Sequence, residues 1–358
     1  MAQNIASTSN GSQRPRRYLI TGGAGFIGSH LAETLLAAGH RVDILDNLST
    51  GRLENIEHLI GHPGFTHTVD DLLNYQVMED LVSRCDAIYH LAAAVGVKLI
   101  MENPVETIIT NVRGTEIVLE LASVYDRKVL VASTSEVYGK AMEVNGDAHS
   151  LRETDNWTLG PTSCRRWAYA CSKAMDEFLA LAYYDEKKLP VVVTRFFNTV
   201  GPRQTGRYGM VVPRLVQRAL LEEPLIVHGD GEQSRSFTHV FDAIRALTLL
   251  MECPEAEGEV INIGNGAEIT INGLARKVME MTGSASEIEH VPHDKIYGKG
   301  FEDMRRRTPD ISKLNELVGF EPEHDINRIL TDVIEYYRHR HGRGENREAL
   351  RKELSLVS

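Results

Sequence analysis

Eight residues near the start of the chain, Thr21-Gly-Gly-Ala-Gly-Phe-Ile-Gly28, constrain its fold more than any others. They follow a short apolar run, Tyr18-Leu-Ile-Thr21, and open a stretch in which Ile27, Leu31, Leu35 and Leu36 recur at helical spacing until Gly39-His40 ends it. A strand that turns so sharply into a helix needs glycine at defined places. Gly22 permits the tight turn, Gly25 lets an anionic group approach the backbone, and Gly28 lets the helix pack closely on the strand. A second apolar run, Arg41-Val-Asp-Ile-Leu45, completes a strand, helix and second strand.

The rhythm continues. Ala87-Ile-Tyr-His-Leu91, Lys128 to Ala132 and Val191 to Phe196 read as further strands, and Glu102 to Ser123 and Trp167 to Tyr184 as long helices. Alternation of this kind predicts an α/β, Rossmann-like fold with a doubly wound parallel sheet. After Asn198 the pattern breaks into short pieces, among them Leu225-Ile-Val-His228 and Val260-Ile-Asn-Ile263, interspersed with helices. The expected organisation is a lead-in over 1–17 and a nucleotide-binding domain over 18–198, whose sheet also takes strands from later segments. A smaller α/β substrate lobe follows over 199–337, then a charged C-terminal extension over 338–358. There is no internal repeat.

Composition narrows the partners. Fifty acidic residues against thirty-nine basic give a formal net charge of -11, which argues against nucleic acid, whose phosphates call for clustered Lys and Arg. The four cysteines, Cys85, Cys164, Cys171 and Cys253, have neither metal-ligand nor disulfide spacing. No apolar segment is long enough to span a bilayer, and no apolar core follows Arg14, Arg16 and Arg17 as a signal peptide requires. A soluble protein of the reducing cytoplasm is expected, with no metal and no membrane partner.

The glycine turn becomes more specific with Asp46, which ends the second strand eighteen residues after Gly28. A carboxylate there can accept hydrogen bonds from an adenosine ribose and would repel a 2′-phosphate, so NAD is expected over NADP. Arg52, folded back, would suit the 2′-phosphate instead. Asp71 and Leu72, after a short strand, are placed to meet an adenine, although an ordinary exposed carboxylate fits Asp71 equally.

Tyr169-Ala-Cys-Ser-Lys173 puts a phenol and an ammonium one turn apart on one helix face. A nearby Lys⁺ favours the phenolate, so a tyrosine whose ordinary pKa is about 10 can serve as a general base near neutral pH. Solvated pairs share this spacing. The upstream glycine fingerprint favours the catalytic reading.

With these residues in view, the chain from about Tyr18 to Tyr337 resembles the extended short-chain dehydrogenases/reductases, the NAD-dependent epimerase/dehydratase family. The resemblance rests on Gly22, Gly25, Phe26, Ile27 and Gly28, on Asp46-Asn47-Leu48, and on His90-Leu91-Ala92-Ala93. It rests also on Thr134 with Tyr169 and Lys173, and on Phe196-Phe-Asn-Thr-Val-Gly-Pro-Arg203. It implies NAD held in the N-terminal lobe by these residues together with Asp71 and Leu72, and a nucleoside-diphosphate sugar in the C-terminal lobe. It further implies that Thr134 polarises the substrate oxygen beside Tyr169, and that Lys173 also holds the nicotinamide ribose. Asn198 and Arg235 would contact the substrate diphosphate, with Arg214 a further substrate contact. The two long helices resemble those that pair as a four-helix bundle in the family's homodimers.

The residues after Thr134 bear on the reaction. Thr134-Ser135-Glu136-Val-Tyr-Gly139 resembles the UDP-glucuronate decarboxylases, including UDP-xylose synthases, whereas the 4,6-dehydratases have an Asp-Glu pair where Ser135-Glu136 stands. Tyr297 to Lys313 resembles the segment where those decarboxylases carry a catalytic arginine, and Arg307 is the best match. Arg166, before Trp-Ala-Tyr169, fits the same group, with Arg165 an alternative for its role. A solvated basic run is the plainer reading of Arg305 to Arg307. The resemblance thus implies oxidation of UDP-glucuronate at C4, then loss of CO₂ from the resulting β-keto acid, with Thr134, Ser135, Glu136, Tyr169, Lys173 and Arg307 catalytic. The product would be UDP-xylose or the 4-keto pentose. A UDP-sugar 4-epimerase, an apiose/xylose synthase and a non-catalytic NAD-binding protein stay open as alternatives.

Overall fold

The apolar run at the start of the chain becomes a central strand buried on both sides. In β1 (Arg17–Thr21), Tyr18 and Ile20 enter one core cluster and Leu19 another, as a parallel strand covered on both faces requires. The computed structural model describes residues 14–94, 103–142, 150–206, 210–297 and 304–342. The N-terminal half runs β1, α1 (Phe26–Ala37), β2 (Arg41–Asp46), β3 (Phe65–Val69), α2 (Tyr75–Arg84), β4 (Ala87–His90), α3 (Pro104–Tyr125), β5 (Lys128–Thr134), α4 (Trp167–Lys187) and β6 (Val191–Phe196). The remainder runs β7 (Thr199–Val200), α5 (Val211–Leu220), β8 (Leu225–His228), β9 (Ser234–Ser236), β10 (Thr238–His239), α6 (Val240–Glu252), β11 (Glu259–Ile263), β12 (Glu268–Thr270), α7 (Ile271–Thr282), β13 (Ile288–Val291), α8 (His293–Tyr297), α9 (Ser312–Val318) and α10 (Ile326–Gly342).

Seven parallel strands form one sheet in the order β11-β6-β5-β4-β1-β2-β3. The order reverses between β1 and β4, the switch point at which α/β sheets open a crevice for ligands. Helices α1, α6 and α9 cover one face and α2, α3 and α4 the other. A separate core joins α5, α7 and α10 through Val212, Leu215, Leu274, Val278, Ile329 and Val333.

The later segment that adds to the sheet is Val260 to Ile263, the edge strand β11, paired in parallel along β6, and two other expectations change. Buried Ile261 and Ile263 explain this, because they complete the core under α6. The helix expected from Glu102 is described from Pro104 and runs to Tyr125, where Asp126 takes a left-handed conformation; Glu102 lies outside the described residues. The extension expected from Arg338 is helical at first, since α10 continues to Gly342 with Arg340 over the Tyr336 ring. Residues 1–13 and 343–358 lie outside the described residues.

Asn262 of β11 does more than extend the sheet. Its Oδ1 accepts a hydrogen bond from the Tyr138 hydroxyl at 2.7 Å, and its Nδ2 donates to the carbonyls of Leu151 at 2.9 Å and Asp310 at 3.1 Å. One fully buried amide therefore ties the turn after β5 to the segment that follows Arg307, and all of these polar groups are satisfied without water.

Candidate active site

The carboxyl ends of β1, β2, β5 and β6 open into one cleft of ≈ 590 Å³, lined among others by Thr21, Asp46, Thr134 and Phe196. At its floor is the glycine turn. Gly22 has φ +73°, and a Cβ there would sit 2.9 Å from the Ala92 nitrogen; a Cβ on Gly28 would run into the Gly22 carbonyl. Only glycine fits either place. The N-cap of α1, Gly25, offers no side-chain cap, so the first-turn N–H groups face the cleft for an anion to claim. Asp46 is held by the backbone N–H groups of Ala24 at 2.9 Å and Leu48 at 2.8 Å. Burial raises its pKa, against those hydrogen bonds. This cradle and carboxylate fit a dinucleotide with an unphosphorylated adenosine ribose. Asn47, Asp71, Leu72, Leu91, Ala92 and Ala93 line the same end, and Arg52 does not. Asp71 accepts a hydrogen bond from Asn47 at 3.1 Å.

At the other end of the cleft stand Thr134, Ser135, Glu136 and Tyr169. Thr134 ends β5, and its hydroxyl accepts the Glu136 N–H at 3.2 Å, which starts the tight turn Ser135–Tyr138. Tyr169 lies in the first turn of α4, with its phenol beside the Thr134 hydroxyl. Glu136 forms ion pairs with Arg307 and, at 3.3 Å, with Arg166. Burial acts to raise the Glu136 pKa, but Arg307 and then Arg166 outweigh it and hold the carboxyl down at about 2. The segment carrying Arg307 is fastened on both sides, through Ser234 N–H to the Arg305 carbonyl at 2.9 Å and Leu151 N–H to the Thr308 carbonyl at 2.8 Å.

The three consecutive arginines do not share one environment, Arg305 being exposed, Arg306 half-buried and Arg307 buried. Arg305 pairs with Asp230 at 2.7 Å, Arg306 with Glu268, and Arg307 with Glu136. Arg307 is buried and also donates to Asn198 Oδ1 at 2.7 Å. Asn198 sits at φ 35°, a left-handed conformation that asparagine tolerates better than most residues, and its Nδ2 donates to the Ser236 carbonyl at 2.8 Å. Between Arg165 and Arg166 the structure selects the second, since Arg165 is exposed and Arg166 buried against Glu136.

Arg214 and Arg235 also line the cleft, Arg214 donating to His228 at 2.9 Å and Arg235 to the Ser234 carbonyl at 2.7 Å. His228, Gln233 and His293 share that wall and escaped the sequence reading, because they lie scattered over β8, the next turn and α8 with no pattern to join them.

Lys173 departs from expectation. Of the site residues named from sequence it is the one that does not line the cleft: it is 2% exposed and its Nζ donates to Asp176 at 2.7 Å. Nor is the Tyr169 phenol made more acidic on balance. Burial raises its pKa, the Glu136 charge adds to this, and the neighbouring Thr134 hydroxyl opposes it. In the sequence Asp176 was one carboxylate among many; only the fold buries it under Lys173.

A seven-stranded parallel sheet, a glycine cradle ending in Asp46 and a Thr134–Tyr169 pair define an extended short-chain dehydrogenase/reductase. The chain belongs within that class to the GDP-mannose 4,6-dehydratase family, whose model matches residues 19–333. It is similar to a UDP-N-acetyl-α-D-glucosaminuronate decarboxylase of Bacillus cytotoxicus, 42% identical over 90% of this chain and 98% of that one. It is similar also to UDP-glucuronic acid decarboxylase 1 of Xenopus tropicalis, 39% identical over 90% of this chain and 72% of that one. Among solved structures, a UDP-glucuronic acid 4-epimerase of Bacillus cereus in complex with UDP-glucuronic acid and NAD superposes with a TM-score of 0.80. It is 27% identical, and the match covers 90% of this chain and 99% of that one.

Proposed function

We propose that this protein is an NAD-dependent nucleotide-sugar decarboxylase acting on UDP-glucuronate. The observation that carries the proposal is the cluster of Glu136, Arg307 and Arg166 beside Thr134 and Tyr169. Two guanidiniums around one carboxylate leave excess positive charge next to the reacting alcohol. A sugar with a C6 carboxylate is stabilised there, and a neutral hexose has no group to use it.

NAD⁺, when bound along Gly22–Gly28 and Asp46, supplies the oxidant for C4. Tyr169 takes the proton of the C4 hydroxyl while Thr134 donates a hydrogen bond to the same oxygen. The C4 ketone stands β to the C6 carboxylate, so loss of CO₂ leaves an enolate, which Thr134 and Tyr169 stabilise as donors. Arg307 and Arg166 orient the carboxylate before it leaves, and the ionised Glu136 orients the water from which C5 takes its proton. Incubation with UDP-glucuronate and NAD⁺, following CO₂ and the sugar products by mass spectrometry and NMR, tests the reading. Interconversion of the 4-hydroxyl without CO₂ release would replace it with an epimerase.

A second reading shares the chemistry and changes the sugar. Similarity to the Bacillus cytotoxicus enzyme across nearly that enzyme's whole length favours UDP-N-acetylglucosaminuronate, and offering both uronates in competition separates the two.

For assembly the proposal is a homodimer through α3 and α4. Val105, Ile108, Ile109 and Val124 on α3 and Met175 and Phe178 on α4 are exposed on two helices that pack against each other, and grouped exposed apolar side chains mark an interaction surface. Sedimentation at micromolar concentration checks it: a dimer is expected, and Phe178→Glu should shift it to monomer.

A further inference from the structure

Beneath the cleft a row of buried polar side chains runs from the glycine turn to Lys173. The Thr21 hydroxyl lies 2.8 Å from His90 Nδ1 and His90 Nε2 lies 3.0 Å from the Thr115 hydroxyl; next in the row Asp176 Oδ2 receives Lys173 Nζ at 2.7 Å, while Asp176 Oδ1 is buried without a hydrogen-bond partner among the described residues. Four elements contribute: Thr21 ends β1, His90 ends β4, Thr115 is in α3, and Asp176 and Lys173 are in α4. None of the five residues is more than 2% exposed.

Burial, and then the Lys173 charge, push the His90 pKa down to about 3, so its ring is neutral and Lys173 carries the positive charge of this buried row. A buried ion pair is a poor source of stability, since desolvation offsets its attraction, and an acid placed after its lysine on a helix is the weaker orientation. Fold stability alone does not account for the pair.

We propose that Asp176 is the positioning residue for Lys173. The lysine's place and charge are then fixed from below, before a ligand enters. The proposal rests on the proposed reaction and on the role beside the nicotinamide ribose that the family resemblance implies for Lys173. Asp176 faces Lys173 and Thr115, with Glu177 beside it on α4; Lys173 faces His90 of β4; Tyr169 also faces Glu136 and Arg307. Asp176→Asn keeps the shape and removes the only counter-ion among the described residues recorded within salt-bridge reach of Lys173. A buried ammonium without a counter-ion gives up its proton more readily.

The test is a pH titration of the full chain labelled with ε-¹³C lysine, the Lys173 signal being assigned by its absence in Lys173→Met. In Asp176→Asn the Lys173 midpoint is expected to fall by about one pH unit or more, and the alkaline limb of kcat to fall with it. Asp176→Ala, which removes the carboxylate outright, should move the midpoint the same way. An unmoved midpoint in whichever of the two variants folds overturns the proposal. A lowered midpoint with an unmoved kcat profile supports the positioning and sinks the catalytic assignment instead.

Discussion

Arg307 closes an ion pair on Glu136 from 171 residues further along the chain. Neither residue reaches the other through local structure. Tyr138, two residues after Glu136, and Asp310, three after Arg307, are both held by Asn262, so a single amide on an edge strand sets where the pair meets.

Glu136→Gln keeps the size of the side chain and removes its charge. Release of CO₂ from UDP-glucuronate is expected to slow by ~10²–10⁴, the usual range for losing general acid–base help, while C4 oxidation suffers less. Arg307→Ala should behave alike. Single-turnover measurement of NADH absorbance beside trapped ¹⁴CO₂ separates the two steps, and a wild-type decarboxylation rate in Glu136→Gln would refute the role.

Tyr169→Phe deletes one hydroxyl, the proton acceptor for the first step. Both NADH formation and CO₂ release should fall by ~10²–10⁴ or more, with UDP-glucuronate affinity by calorimetry within a few-fold of wild type.

Asp46 is the proposed discriminator between NAD and NADP: its charge would repel a 2′-phosphate, and the Ala24 and Leu48 N–H groups hold it in place. Wild-type protein should bind NAD far more tightly than NADP. Asp46→Ala is expected to weaken NAD binding and narrow that preference, read by fluorescence titration with each dinucleotide; an unchanged ratio would place discrimination elsewhere.

His30 on α1 supplies a pH dependence of stability. Burial, then Arg203, lower its pKa from 6.5 to about 4, and its Nε2 bonds the Pro202 carbonyl at 3.0 Å. The unfolded chain therefore binds this proton more readily than the folded one. Its stabilising contribution is complete above pH 6.5 and is lost as pH falls towards 4. Urea midpoints should decline over that window, and His30→Gln, which keeps a donor for Pro202, should flatten the decline. His90, lowered to about 3 by burial and Lys173, leaves a residual slope in the same direction.

What the sequence determined by itself is local. The glycine turn, Asp46 at the end of β2, and Tyr169 with Lys173 are legible because each depends on a few neighbouring residues: backbone space at Gly22 and Gly28, strand length before Asp46, helical spacing from 169 to 173. The alternating apolar runs likewise dictate a parallel sheet, since a strand such as β1, apolar on both sides, must be covered on both. Tertiary structure decided whatever depends on distance in space between residues far apart in sequence. It fixed Val260–Ile263 as the later segment that joins the sheet, at its edge, set Arg166 rather than Arg165 against Glu136, and divided Arg305 to Arg307 among three separate pairs. It also placed Asp176 against Lys173. The reason is physical. Burial and charge pairing set the behaviour of an ionisable group, and both arise only when separate elements close around it.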